Sequence, residues 1–336
     1  MSRRFFIRLT LAAAVASTAA SAEGAVPEAK PVEVRLDWAT YNPSSLVLKK
    51  FGWLEEELGK DNIKVSWLYS AGSNKANEAI ASGSADLAST AGAAALLART
   101  NGVPLKTVYI FSKPEWTALV VPKSSPLTKV SELKGKKVAA TRGTDPFFFL
   151  LRSLKAAGLS QSDVEIVNLQ HSDGRLALER GNVDAWAGLD PHMAAAELRS
   201  GAHLLYRNID FNTFGVLNAR EDFVRKYPDT VHRVLAQYER AKLWILAHPE
   251  EAAALLAEAG KIDLDVARKQ LTERTVLTEW GLDLNPLVRA LRPVVPLLLS
   301  EKLVASEADP SKALVELFVT DPSLVPTPIH PFGTAR

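Results

Sequence analysis

No cysteine occurs among the 336 residues, which excludes disulfides, thiolate metal sites, thiol nucleophiles and attachment of a lipid through an N-terminal cysteine. Histidine is scarce at six copies. His171, His192 and His203 fall on separate expected elements, and neither His-Glu-x-x-His nor Gly-x-Ser-x-Gly occurs, so metal and serine-nucleophile chemistry have no scaffold here; surface positions suit these imidazoles better. A phosphate-binding Gly-x-x-x-x-Gly-Lys-Ser/Thr loop is missing too, as are internal repeats, low-complexity tracts and a long flexible tether. Charge of one sign is also lacking: 40 Lys and Arg against 38 Asp and Glu give +2. A nucleic-acid role therefore has no electrostatic footing.

What is present begins with an address. Arg3, Arg4 and Arg8 precede the apolar run Leu9 to Ala16, and Ala20-Ser21-Ala22 offers the small-x-small pattern of a cleavage site, so residues 1–22 read as an export signal peptide. The run is too short for a permanent membrane helix. Ser2 to Arg8 resembles the twin-arginine export motif, and a general secretory signal is the alternative. Either route leads out of the cytoplasm. Loss of those residues removes three positive charges and leaves a net charge of −1. The rest, in a chain that is 47% hydrophobic and 23% charged overall, is expected to form about two soluble globular domains.

Strand, turn and helix recur in that order. Val32, Val34, Leu36 and Trp38 alternate with charged residues as in a strand exposed on one face, and Asn42-Pro43 then caps and opens a helix running to Gly52. Ile63, Val65 and Trp67 lead through Ser70 to Asn74 into a second helix, and Asp86 to Ala88 lead through Ser89 to Gly92 into a third. Lys137 to Ala140 run into the turn Thr141-Arg142-Gly143-Thr144-Asp145, with Pro146 in the first turn of the next helix. Asp184 to Ala187 lead to Asp190-Pro191 and a helix ending at Gly201. Alternation of this kind predicts mainly parallel α/β sheets, whose ligands bind beyond the carboxyl ends of the strands.

From Asp222 onward the pattern is chiefly helical, and Pro326 to Arg336 read as an extended tail. Two segments, Trp116 to Val121 and Phe211 to Leu217, suit strands that cross between lobes. The expected division is then a discontinuous first lobe, residues 31–117 with 213–325, and a second lobe of residues 118–212.

The turn at residues 141–145 has two readings. A helix N-terminus carries unsatisfied N–H groups and about half a positive charge, so with Arg142 beside it an oxyanion would sit well. The other reading is an ordinary connection in which Asp145 caps the helix.

Several blocks, in order, are similar to the nitrate/sulfonate/taurine family of periplasmic substrate-binding proteins, most closely its aliphatic-sulfonate branch. They are Gly52-Trp53-Leu54-Glu55, Ala81 to Leu87, Leu133 to Ala139, Arg142-Gly143-Thr144, Leu178 to Trp186 and Asp190-Pro191, spread over roughly residues 31–245. The resemblance implies a two-lobed periplasmic-binding-protein fold of type II. It also implies a non-enzymatic binder, without cofactor, metal or nucleic acid and expected to be a monomer. The cleft would close on a sulfonate-like anion and deliver it to a membrane permease served by a separate ATPase. Nitrate, a sulfate ester or a pyrimidine precursor is the alternative ligand on the same fold, and a ligand-sensing adaptor uses the same surfaces. One departure stands out: where family members resembling the sulfonate binders often carry an acid followed by prolines, this chain has Thr90-Ala91-Gly92-Ala93.

A sulfonate spreads one charge over three weakly basic oxygens and calls for many fixed donors. Ser73, Asn74, Thr90, Gly143 and Thr144 can supply them from turns that would face one another, with Arg142 as charge partner and the Asn42 turn on the same rim. Trp38, Tyr41, Trp116, Phe147 and Trp186 lie at or near these turns and can cover an aliphatic group, core packing being the competing role for each. Asp145 and Asp190 can meet an ammonium, or cap the helices that follow them.

Overall fold

The computed structural model describes residues 29–277, 281 and 283–319. The expected signal peptide and the extended tail from Pro326 lie outside them. Ten strands run in chain order as β1 (Glu33–Trp38), β2 (Lys64–Tyr69), β3 (Leu87–Ala91), β4 (Leu105–Ser112), β5 (Leu119–Val121), β6 (Lys137–Ala140), β7 (Glu165–Asn168), β8 (Ala185–Ala187), β9 (His203–Tyr206) and β10 (Gly215–Arg220). They form two five-stranded sheets, in the orders β2-β1-β3-β10-β4 and β7-β6-β8-β5-β9.

Parallel pairing joins β1 to β2 and β3, and β6 to β7 and β8. The other ladders are antiparallel: β10 with β3 and β4, and β5 with β8 and β9. The sheets are therefore mixed, not mainly parallel, and the physical reason is connectivity. β5 and β10 are the strands that follow the two crossovers between lobes. Each enters its sheet from the far lobe, without the helical return that would turn it parallel to its neighbours.

Each sheet is covered on both faces. On the first, Val34 and Leu36 pack with Leu48 of the helix Pro43–Phe51 and Leu235 and Tyr238 of the helix Pro228–Ala247. The opposite face carries the alanine-rich helix Gly92–Thr100 and Leu287 and Leu291 of the helix Asn285–Leu291. In the second lobe, Phe147, Leu150 and Leu154 of the helix Asp145–Ala156 cover one face, and Trp186, Leu178 and Met193 form the core on the other.

Local chemistry fixes the helix starts that matter for function. Asn42 accepts from the Ser45 N–H at 3.4 Å and Pro43 occupies the first turn, while Gly52, at φ 66°, closes that helix. Pro146 stands in the first turn of the helix Asp145–Ala156, where its missing N–H costs nothing. The lobes meet beyond the crossovers as well. Ala194 and Ala195 of the second lobe pack with Val266 of the C-terminal helical region, and Arg199 pairs with Asp263 and Asp265.

Candidate ligand cleft

The first sheet has its topological switch point between β1 and β3, which share only the register pair Leu36 and Leu87 before they part. Asp37 fills the split. Its Oδ1 accepts from the Ser89 N–H and from Ser89 Oγ, both at 2.8 Å, and the Tyr41 hydroxyl donates to the Ser89 carbonyl at 2.9 Å. Ligands of open α/β sheets bind at such a split.

Asp37 is fully buried, and burial pushes its pKa up to about 7 against the pull of its Ser89 hydrogen bonds. The folded protein holds this proton more tightly than the unfolded chain, where an aspartate titrates near 4. The stability this contributes is present in full below about pH 4 and is lost as pH rises through 7. Asp37→Asn keeps a neutral acceptor for Ser89, so it should flatten the decline in stability between about pH 6 and 8 by roughly 2 kcal/mol. Urea melts across that range read the slope; one unchanged from the parent would clear Asp37 of the effect.

Turns from opposite lobes touch above this floor. A Cβ added to Gly72 would come within 2.9 Å of His171 Nε2 and 3.0 Å of Asn74 Oδ1, so only glycine permits the approach. Gly143, at φ 76°, faces Asn74 closely enough that an added Cβ would lie 3.7 Å from Asn74 Cβ. The helices Ser73–Ala81 and Asp145–Ala156 both start at this meeting point, and the first N–H groups of each have no acceptor within the helix. The structure thus brings Ser73, Asn74, Gly143 and Thr144 together.

Not every hydroxyl there is free. Ser73 Oγ accepts from the Ala91 N–H at 2.9 Å and so braces two turns of the first lobe, and Thr144 Oγ1 donates to the Thr141 carbonyl at 2.6 Å. Thr90 is committed inside the sheet: its hydroxyl donates to the Ala91 carbonyl and accepts from Asn218 Nδ2 at 2.7 Å. Asn42 is buried, with Oδ1 used for the cap and Nδ2 without a partner among the described residues.

The aromatics divide. Tyr41 and Trp116 meet edge to face, with centroids 6.0 Å apart, in the corner between the first lobe and the first crossover. Trp186 does not reach the cleft. It is completely buried in the second lobe, where a Cβ on Gly174 would fall 2.6 Å from its Nε1. Phe147 is buried beneath Arg142, whose exposed guanidinium lies 5.2 Å from the ring centroid. Trp38 stacks on Tyr69 at 4.7 Å, under the Lys49 ammonium.

The two aspartates have partners of their own. Asp145 does not cap its helix; its carboxylate accepts from Trp116 Nε1 at 2.9 Å, Thr213 N–H at 2.8 Å and Thr213 Oγ1 at 2.6 Å. It therefore ties the helix of the second lobe to both crossovers, which are themselves bonded from Thr117 N–H to Asn212 Oδ1. Burial raises its pKa to about 6. Asp190 accepts from the Ala194 N–H at 2.8 Å, and from Arg274 Nη1 at 3.0 and 3.2 Å. Arg274 also holds Glu197, and both Arg274 and Asp190 are almost wholly enclosed. Arg274 carried no sequence signal, being one arginine among many in the helical region.

Gly92, where an acid was to be expected from the family pattern, starts a helix pressed onto its neighbour: an added Cβ would sit 2.5 Å from Leu287 Cδ1. Its N–H donates to the Phe214 carbonyl and that of Ala93 to Thr213 Oγ1, so this helix start is tied to the second crossover. His171 corrects the expectation of surface imidazoles, since it is 1% exposed. Among the described residues, no group of three or more His, Cys, Asp or Glu could hold a metal ion, and no helix is long and apolar enough to cross a membrane.

Two α/β lobes, joined by two crossovers and facing each other across the carboxyl ends of their strands, define the two-lobed periplasmic-binding-protein fold. The chain belongs to the family described as NMT1/THI5 like, whose model matches residues 47–252. It is 32% identical over 278 residues, 82% of this chain and 85% of the relative, to a protein of Escherichia coli (strain K12) that carries the provisional name of aliphatic sulfonates-binding protein. The crystal structure of the periplasmic aliphatic sulphonate binding protein SsuA from Escherichia coli aligns with a TM-score of 0.75 at 27% identity, covering 90% of this chain and 94% of that one. The alkanesulfonate-binding protein SsuA from Xanthomonas axonopodis pv. citri, bound to MOPS, shares the fold with a TM-score of 0.76 at 24% identity, over 85% of this chain and 98% of that one.

Proposed function

We propose that this chain is the periplasmic solute-binding component of an ABC importer and captures an aliphatic sulfonate between its lobes. The observation that carries the reading is the meeting of two helix starts from opposite lobes at Asn74 and Gly143, beside the Tyr41 and Trp116 corner. Backbone N–H groups of Gly143 and Thr144, with those at Ser73 and Asn74, supply the fixed donors an oxyanion needs. The aromatic corner covers the aliphatic group, and Arg142 adds positive charge at the rim. Relatives named for binding aliphatic sulfonates support the ligand class. Binding and release need no catalytic group and no cofactor; a permease and a separate ATPase supply passage and energy, and the binder works as a monomer.

Thermal melts with short alkanesulfonates, taurine, sulfate esters, nitrate and pyrimidine precursors test this. A sulfonate at 100 times its Kd should add about 2.7 kcal/mol, a rise of several degrees in Tm. A shift with a neutral heterocycle and none with any sulfur oxyanion would overturn the reading.

A further inference from the structure

We infer that the ligand carries a hydrogen-bond donor beyond its sulfonate group, an amine or a hydroxyl on the alkyl chain, and that His171 Nε2 and Asn74 Oδ1 receive it; this rests on the sulfonate reading above. The argument starts from one proton. Thr141 Oγ1 has a single hydrogen and spends it on the Leu169 carbonyl at 2.6 Å. His171 Nδ1 lies 3.2 Å from the same oxygen, so the imidazole must be the donor in that contact. The tautomer is thereby set: Nδ1 carries the hydrogen and Nε2 presents a lone pair. Burial holds the ring's pKa down to about 3, so at neutral pH no second proton changes this.

That lone pair points at the other lobe. Nε2 is buried without a partner among the described residues, and so is Asn74 Oδ1; both lie about 3 Å from one point beside Gly72. Two acceptors enclosed together are unfavourable unless a donor joins them. Sulfonate oxygens only accept, so they cannot serve. The donors for the sulfonate and the acceptors for the chain's far group stand next to each other where the lobes meet, and a site built to bond a polar group rejects an analogue that lacks it.

Titration calorimetry of the full mature chain with taurine, 2-hydroxyethanesulfonate and 1-propanesulfonate, which replaces the donor with a methyl group, tests the inference. At least one donor-bearing ligand should bind at least tenfold tighter than propanesulfonate. Which of the two it is distinguishes an amine from a hydroxyl. His171→Leu should bring that ligand and propanesulfonate to within about threefold of each other, by weakening the former. Should this variant not fold, nitrogen NMR of the parent decides. Nε2 should read as unprotonated in the free protein, and its signal should move with the preferred ligand and not with propanesulfonate. Propanesulfonate binding as tightly as both others, a preference that survives His171→Leu, or a protonated Nε2 would overturn the inference while leaving sulfonate binding intact. Failure of all three ligands would instead remove the sulfonate reading on which it rests.

Discussion

Replacing Arg274 with methionine should cost roughly 3–5 kcal/mol of stability, the usual consequence of leaving a buried charge without its partner. Arg274 stands in the C-terminal helical region, while Asp190 and Glu197 belong to the second lobe, so this ion cluster spans the molecule. Its backbone carbonyl accepts from Glu115 N–H on the first crossover, which places the guanidinium at the corner where the lobes turn. Burial alone pushes the Asp190 pKa up to about 6 even with Arg274 beside it, so loss of the arginine strands a carboxylate in an apolar site. The triple change Arg274→Met, Asp190→Leu and Glu197→Leu should recover most of the loss, because apolar groups of similar volume need no compensation. Denaturant melts give both values. A single variant within 1 kcal/mol of the parent would mean that the cluster is hydrated and carries little.

The sequence made the local units readable and hid their long-range partners. Alternation at Val34, Leu36 and Trp38, the Asn42-Pro43 cap and the Gly52 stop are contained within a few residues, and the strand, turn and helix there follow from them. The direction of β5 and β10 is not local: it depends on the crossovers from which they enter, and so mixed sheets replaced mainly parallel ones. For the cleft, the turns at Ser73, Asn74, Gly143 and Thr144 were legible because helix starts announce themselves through Ser, Asn, Gly and Pro.

Buried polar partners were not legible. Thr90 resembles any turn hydroxyl until Asn218, 128 positions away, is seen to occupy it. Trp186 sits near a turn in the sequence, yet strand alternation turns it into the core of the second lobe beside Gly174. His171 gave no signal beyond its rarity. Its burial and its tautomer are set by Thr141 and Leu169, which come near it only because β6 and β7 pair. Gly92 shows the converse: a departure from a family pattern gains a local explanation once Leu287 is found against it.

Asp145→Ala should lower stability by roughly 3–5 kcal/mol, and Asp145→Asn should cost nearly as much, an outcome that helix capping would not produce. The carboxylate receives three donors, two of them on Oδ2, and all belong to the crossovers or the residue beside them. Removing it leaves Trp116 Nε1, Thr213 N–H and Thr213 Oγ1 to find other partners in a buried site, at about 1–3 kcal/mol for each that fails, offset by relief of a carboxylate whose ionisation burial already opposes. Asparagine keeps one oxygen but sets an NH2 group where one of the carboxylate oxygens stood, so donor meets donor at Trp116 and Thr213, or at the Thr213 hydroxyl if the amide flips. As an N-cap, by contrast, asparagine serves about as well as aspartate. Both variants should also bind ligand more weakly than their loss of stability alone accounts for, since Asp145 fixes the start of the helix that offers Gly143 and Thr144 to the cleft. Urea melts and calorimetry on the two variants read these effects separately. An Asn variant as stable as the parent would show that Asp145 acts through its own helix and not through the crossovers.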